Sequence, residues 1–231
     1  MKKSSIIVFL LLSYSAIPTV YFRAKNRYKL RRLKGKKEIC LTFDDGPHYI
    51  YTNKLLDLLK KYNINATFFV VAKYAEKNPK IIKRMKDEGH TIGLHSLEHK
   101  NYLVKGFPYT NKDFKESNII MKNLKVPVKY FRAPWGCVNL VTIKNIIKSN
   151  YELVFWNTMV GDWRRNNTSR NISKRLIKKT NKRSKGKSLV CLHDGRGRKK
   201  APLKTIGALE EVIPKWIKNG YKFISINELN N

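Results

Sequence analysis

A chain of 231 residues carrying 49 Lys and Arg against 16 Asp and Glu, a formal charge of +33, has the size of one domain with a short extension and a surface positive over most of its area. Such a charge implies an anionic partner or surroundings (nucleic acid, membrane headgroups or an acidic wall polymer) without choosing among them, and drift of surface positions toward Lys is the blander reading. Three cysteines, Cys40, Cys137 and Cys191, are odd in number and lack metal-ligand spacing. They set aside a disulfide framework, and Cys40 and Cys191, lying in apolar runs, read as buried inert thiols.

The chain opens with Met1, Lys2 and Lys3 and then the apolar stretch SSIIVFLLLSYSAIPTVYF. Residues 1–22 therefore read as a signal peptide or membrane anchor, at roughly 17 apolar residues barely long enough to span. Ser13-Tyr14-Ser15 is the nearest approach to a cleavage site. Residues 23–37 form a basic linker whose Arg23, Arg27, Arg31 and neighbours would favour a cytoplasmic domain under the positive-inside rule. Export and flank charge thus point in opposite directions.

From residue 38 to 231 strand-like and helix-like segments alternate. EICLTF reads as a buried strand. TNKLLDLLKKYNI follows as an amphipathic helix with Thr52 as N-cap, and NATFFVV as a second strand. NPKIIKRMKDEGH is a helix with Asn78 as cap, Pro79 at its first position and Gly89 at its stop. TIGLHS is a strand, Lys112 to Leu124 a helix, VKYFRAP a strand and NLVTIKNIIKSN a helix. YELVFWN, a helix near Ser169 to Asn181, KSLVCLH, the helix LKTIGALEEVIPKWIKNG and the strand KFISI complete the order. Repeated strand-then-helix order means parallel strands joined by crossover helices, in an open doubly wound sheet or a closed barrel; about seven units favour a barrel. No linker or internal repeat divides this region, so it is one domain.

The chemically capable residues fall at strand ends. Asp44 and Asp45 end the first strand, His95 and His99 follow a later one, Arg132 ends another, Asp162 follows YELVFWN and His193 ends KSLVCLH. In a parallel barrel those ends share one face, so residues distant in sequence converge on one mouth. Neighbours on a regular strand point to opposite faces, so the adjacent carboxylates share a site only where Gly46 and Pro47 break the strand. Two carboxylates in one place must divide their roles, one on a cation and one as a base. His95 and His99, four apart, supply two imidazoles; with Asp45 they make a three-ligand set suited to catalytic zinc and also to non-haem iron. Asp44 as base, and His193 as acid held by Asp162, favour hydrolysis, which needs such a pair.

Five ordered motifs, TFDDGP (Thr42 to Pro47), HSLEH (His95 to His99), RAPWG (Arg132 to Gly136), GDW (Gly161 to Trp163) and CLH (Cys191 to His193), make the chain from about Lys37 to Leu229 resemble the polysaccharide deacetylase family, the NodB-homology domain of carbohydrate esterase family four. The resemblance implies an α/β fold, a distorted (β/α) barrel, and a metal-dependent hydrolase that removes N-acetyl groups from N-acetylglucosamine residues of peptidoglycan. It implies Asp44 as base, Asp45, His95 and His99 as ligands of a divalent metal, Zn2+ by expectation, and His193 as acid. Arg132 would orient a catalytic carboxylate. Pro134, Trp135, Trp163 and Cys191 would contact substrate, with the Trp135 backbone N–H helping to hold the oxyanion. Trp135 stands where the family has Tyr, and Cys191 where it has Leu, in the acetyl methyl pocket. A chitooligosaccharide deacetylase or O-acetyl xylan esterase is the alternative, and a cationic wall- or nucleic-acid-binding protein without catalysis the rival of another class. Aromatic residues lie mostly in strands rather than among the basic runs, so no nucleic acid is expected. The expected state is a monomer on the outer face of the cell membrane, secreted or held by its N-terminal segment.

Overall fold

The structure, a computed structural model, describes residues 12–33, 35–196 and 200–229. Eight parallel strands form one sheet: β1 (Glu38–Asp44), β2 (Thr67–Val70), β3 (Thr91–Leu94), β4 (Tyr130–Phe131), β5 (Glu152–Leu153), β6 (Thr158–Met159), β7 (Lys187–His193) and β8 (Lys222–Phe223). Their order is β5-β4-β3-β2-β1-β7-β6, with β8 beside the start of β1. β1 and β7 are central and almost wholly buried, and so read as continuous apolar runs. Their register sets Thr42 against Cys191 and Asp44 against His193.

The two edge strands β5 and β6 are separated by residues 154–157 alone. Five peptide steps reach at most about 18 Å, so the sheet must curl until its edges almost meet. The result is the distorted barrel expected, open along one seam. YELVFWN was expected as one strand; only Glu152–Leu153 pairs, because the next residues leave the ladder to cross the seam. There the carbonyls of Val154 and Phe155 receive hydrogen bonds from Arg132 at 3.4 and 3.1 Å, and Asn157 exchanges bonds with Leu189 across to β7.

Helices cover the outside: α1 (Ile17–Arg31), α2 (Tyr51–Lys61), α3 (Ala72–Lys77), α4 (Pro79–Asp87), α5 (Phe107–Asn123), α6 (Leu140–Lys148), α7 (Ser169–Asn181) and α8 (Ala201–Lys218). Leu55, Leu56, Leu58 and Leu59 of α2 and Ile81, Ile82 and Met85 of α4 are buried, as their spacing predicts. Two boundaries and one capping bond differ. Thr52 is inside α2 rather than capping it; its hydroxyl accepts from the His48 amide and donates to Asp194. Asn78 takes the N-cap position of α4 with Pro79 next, as expected, but its side-chain amide donates to the Tyr74 carbonyl, closing the end of α3, rather than capping α4. α5 begins at Phe107, five residues before Lys112, with Pro108 in its first turn, where a missing N–H costs nothing.

Of the expected signal or anchor, residues 1–11 lie outside the described residues. Among the described residues no helix is long and apolar enough to cross a membrane. α1 runs across the expected boundary at 22/23, and the basic stretch is helical as far as Arg31. It is docked on the domain: Thr19 Oγ1 donates to the Val138 carbonyl at 2.7 Å and accepts from the Val138 amide at 2.9 Å. Cys40 and Cys191 are buried free thiols, as expected, and Cys137 is a third.

Candidate active site

The carboxyl ends of the parallel strands meet at a cavity of about 220 Å3 lined by Asp44, Asp45, His95, His99, Trp135, Trp156, Met159, Trp163, Cys191, His193 and Arg196. Asp44 is the last residue of β1, and the chain then breaks sharply: Asp45 has φ 75° and the Gly46-Pro47 peptide is cis. This break lets adjacent carboxylates serve one cavity. Its packing is tight, since a Cβ on Gly195 would lie 1.9 Å from the Asp45 carbonyl oxygen and one on Gly46 would strike the Asp194 carboxylate.

Asp44 is held at both oxygens. Oδ1 receives Nη1 of Arg132 at 2.7 Å, and Oδ2 receives the Cys191 thiol at 3.3 Å. Burial, then the Asp44 charge, pushes the Cys191 thiol well above its usual range, so it stays protonated and donates. The Arg132 side chain is fully buried. Besides Asp44 it donates to Thr42 Oγ1 at 2.7 Å and to the two seam carbonyls, and it lies 4.0 Å above the Phe69 ring centroid.

Asp45 Oδ1 lies 2.9 Å from Nε2 of His99 and 3.3 Å from Nε2 of His95. The histidines follow β3 in a turn, with Ser96 and His99 at positive φ, rather than on a helix. Nδ1 of His95 is 2.6 Å from the Arg132 carbonyl, which can only accept, so that nitrogen carries the proton and Nε2 offers a lone pair. Burial lowers the His99 pKa, an effect that Asp45 only partly opposes, so this imidazole is neutral. Burial would raise Asp45, but His95 and His99 hold its carboxyl well below the usual range. Asp45 Oδ1 and His99 Nδ1 are buried without a hydrogen-bond partner among the described residues. The Nε2 atoms of His95 and His99 converge within 3.3 Å of one carboxylate oxygen of Asp45, and this hard/borderline donor set fits a divalent metal.

His193 ends β7. Its Nδ1 stands 3.0 Å from Asp162 Oδ1 and its backbone N–H donates to Asp162 Oδ2 at 2.9 Å. Asp162 is fully buried and also receives the Thr205 hydroxyl at 3.0 Å. Burial disfavours charge on the His193 ring, but Asp162, with smaller help from Asp45 and Asp44, raises it to about 9. At neutral pH it is an imidazolium. Asp162 is therefore a partner of His193 and not of Arg164 or Arg165. The Trp163 ring meets His193 edge-on at 4.9 Å, and the Trp135 ring lies 4.3 Å from His99.

Of the eleven expected site residues eight line the cavity; Arg132 and Asp162 are fully buried and reach it only through Asp44 and His193, and the eleventh is Pro134. That residue is buried below the cavity, where it opens the 3-10 turn Pro134–Gly136 that carries Trp135 at φ 54°. Four groups were not foreseen. Thr42 carries Arg132, Thr205 carries Asp162, and Thr52 holds Asp194, whose carboxyl is pushed up to about 7 by burial against the Thr52 bond, with Asp45 and Asp44 nearby. Trp156 completes a cavity wall from within the seam. Thr42 and Asp194 flank recognisable motif residues, whereas Thr205, 43 positions from Asp162, left no signal beyond a lone hydroxyl in an apolar helix.

The comparisons agree with this arrangement. The profile of the polysaccharide deacetylase family matches residues 31–154. A peptidoglycan-N-acetylglucosamine deacetylase of Bacillus cereus is 31% identical over 203 residues, 84% of this chain and 89% of the relative. The peptidoglycan-N-acetylmuramic acid deacetylase PdaA of Bacillus subtilis is 33% identical over 196 residues, 84% of this chain and 72% of the relative. The crystal structure of the Bc1960 peptidoglycan N-acetylglucosamine deacetylase superposes with a TM-score of 0.75 at 28% identity, covering 85% of this chain and 89% of the other. With a family profile matched over more than half of the chain and relatives above 30% identity matched over most of it, the chain belongs to the polysaccharide deacetylase family.

Proposed function

We propose that this chain removes N-acetyl groups from N-acetylglucosamine residues of peptidoglycan, releasing acetate, with a divalent metal, Zn2+ by preference, and that it works as a monomer on the outer face of the cell membrane. The observation that carries the reading is the division of labour in the cavity. A cluster of one carboxylate and two imidazoles at Asp45, His95 and His99 lies beside a tethered carboxylate, Asp44, and an imidazolium, His193.

Asp45, His95 and His99 would hold the metal, which when bound supplies Lewis acidity toward the amide oxygen and lowers the pKa of water. The chain's own residues do the rest. Asp44 accepts the proton of the attacking water, its carboxylate aimed by Arg132 and Cys191. His193, protonated at neutral pH, gives a proton to the departing amine nitrogen, and Asp162 fixes the ring and its charge. Trp135 and Trp163 would pack on the sugar faces. Relatives named for N-acetylglucosamine and for N-acetylmuramic acid match about equally, so the sugar is the part of the proposal to be tested first.

The test is acetate released by the full chain from purified peptidoglycan and from N-acetylglucosamine oligomers, after chelation and after zinc is restored, with sugar analysis of the product. Release that disappears and returns with metal, is lost in Asp44→Asn and leaves glucosamine supports the reading. Free muramic acid amine would move the substrate assignment. Silence on every acetylated glycan by a metal-loaded protein would overturn the deacetylase itself.

A further inference from the structure

Beside the active-site cavity lies a second and larger cleft, about 490 Å3, between α1 and the barrel. The two share Trp135, Trp156 and Met159 in their walls, so they are adjacent. The outer cleft is lined by five cations and no acid: Arg23, Arg27 and Arg31 from α1, and Lys179 and Arg183 from α7 and the turn after it. Steps of four place the three arginines on one helix face, an arrangement that costs an isolated helix stability through like-charge repulsion. None of the five is in a salt bridge among the described residues. Arg23 is spent on the site itself, its Nε donating to the Gly136 carbonyl at 2.9 Å and its Nη2 to the Trp135 carbonyl. Among the described residues Arg27 and Arg31 have no such bond. Burial, and then the neighbouring Arg31, lower the pKa of Arg183, as expected of a cation set opposite another with no anion between them.

We propose that this cleft is an anion subsite of the substrate groove, in which α1 and the end of α7 clasp a carboxylate or phosphate group on the polymer flanking the sugar being deacetylated. The inference rests on the deacetylase reading and adds what it lacks, a contact that separates an anionic wall glycan from a neutral chitin oligomer. A membrane surface is the competing anion. The exposed arginines border a concave cleft that adjoins the catalytic cavity, a shape and place that suit a group on the bound polymer better than a flat headgroup layer. The Arg23 bonds also tie α1 to the Trp135 turn, so the clasp and the wall of the active site are one construction.

The experiment compares the full chain with the double variant Arg27→Glu/Arg31→Glu and, from the opposite wall, Arg183→Glu. Values of kcat/KM are measured on three substrates: a neutral N-acetylglucosamine hexamer, peptidoglycan fragments bearing stem-peptide carboxylates but no phosphate, and the same fragments carrying a phosphodiester polymer. Expected is a loss of about tenfold on one or both anionic substrates, diminishing as salt is raised, with hexamer turnover kept within about twofold as proof of folding. Loss on the carboxylate fragments assigns the cleft to carboxylate; loss confined to the third substrate assigns it to phosphate. Equal losses on all three substrates, or none on the anionic pair, would overturn the subsite. So would variants that lose binding to phosphatidylglycerol vesicles while their kcat/KM values are unchanged, which would give the arginines to the membrane. Should no protein release acetate from any substrate, the deacetylase reading falls first and this one with it.

Discussion

Asp162→Asn should convert His193 from an acid that is always charged into one that is almost never charged at neutral pH. The carboxylate is fully buried and bonded to the ring at 3.0 Å, so it is the main force raising His193 from its ordinary 6.5 to about 9 against the opposing effect of burial. Asparagine keeps the shape and an acceptor for Thr205 while deleting the charge. Burial is then opposed only by the more distant Asp45 and Asp44, which places the ring at or below its ordinary value. A fall of at least about 2 units is about 3 kcal/mol of differential stabilisation of the imidazolium. At pH 7.5 the protonated fraction drops from about 97% to about 10% or less, so kcat should fall at least about tenfold, and further if the ring also reorients. The alkaline limb of the kcat profile, near pH 9 in the parent, should move to pH 7 or below. A cation held by Asp45, His95 and His99 would lower the limb in both proteins alike, so the displacement is the quantity to read. The assay is acetate release across pH 5 to 10 with metal-loaded proteins. A variant that loses activity while its alkaline limb stays in place would refute the argument, since Asp162 would then be aligning the ring without setting its charge.

Removing Arg132 should cost fold and function together: Arg132→Met leaves Asp44 buried without its cation, which destabilises by about 3–5 kcal/mol and lowers the melting temperature by roughly 10 °C, read by thermal denaturation. Arg132→Lys keeps the charge but cannot reach Thr42, Asp44 and both seam carbonyls at once, so its melting temperature should recover only in part. His99→Ala should bind zinc at least about tenfold more weakly, measured by competition with a chromophoric chelator; unchanged affinity would remove His99 from the ligand set. Cys191→Leu adds volume to the cavity wall and deletes the thiol donor to Asp44, so the N-propionyl to N-acetyl activity ratio should fall by about tenfold, the worth of roughly a methylene in an apolar pocket.

The strand ends were legible because the chemistry sits where the chain has little freedom. An apolar run ending in two carboxylates before Gly-Pro has few physical solutions, and the parallel order fixes which end of each strand faces the mouth. Asp44 opposite His193 in the register is that logic realised. What supports these groups was less legible, since support comes from single hydroxyls. Thr205 on α8 looks like any polar residue in an apolar helix until the fold brings it to Asp162, and Thr52 resembles a cap because Thr near a helix start usually is one. The seam was hidden for a different reason. YELVFWN has the composition of a strand throughout, and tertiary demand for the Val154 and Phe155 carbonyls ends the pairing after Leu153. α1 was hidden by its charge: nothing in its weakly amphipathic, arginine-rich pattern says that Thr19 and Arg23 dock it.

Arg132 shows why these levels are not separable in this molecule. One guanidinium satisfies the carbonyls left over where the barrel fails to close, caps the Phe69 ring, bonds Thr42 and aims Asp44, while its own carbonyl sets the His95 tautomer. The open seam is therefore not a defect beside the site. A closed barrel would consume the Val154 and Phe155 carbonyls in a ladder and leave the buried guanidinium with only Thr42 and Asp44 as acceptors, in a place where an incompletely bonded charge is costly. The same opening lets Trp156 form a wall common to the catalytic cavity and the arginine-lined cleft. Through Arg132 and Trp156 the irregular segment 154–157 thus joins Asp44, His95 and the outer groove.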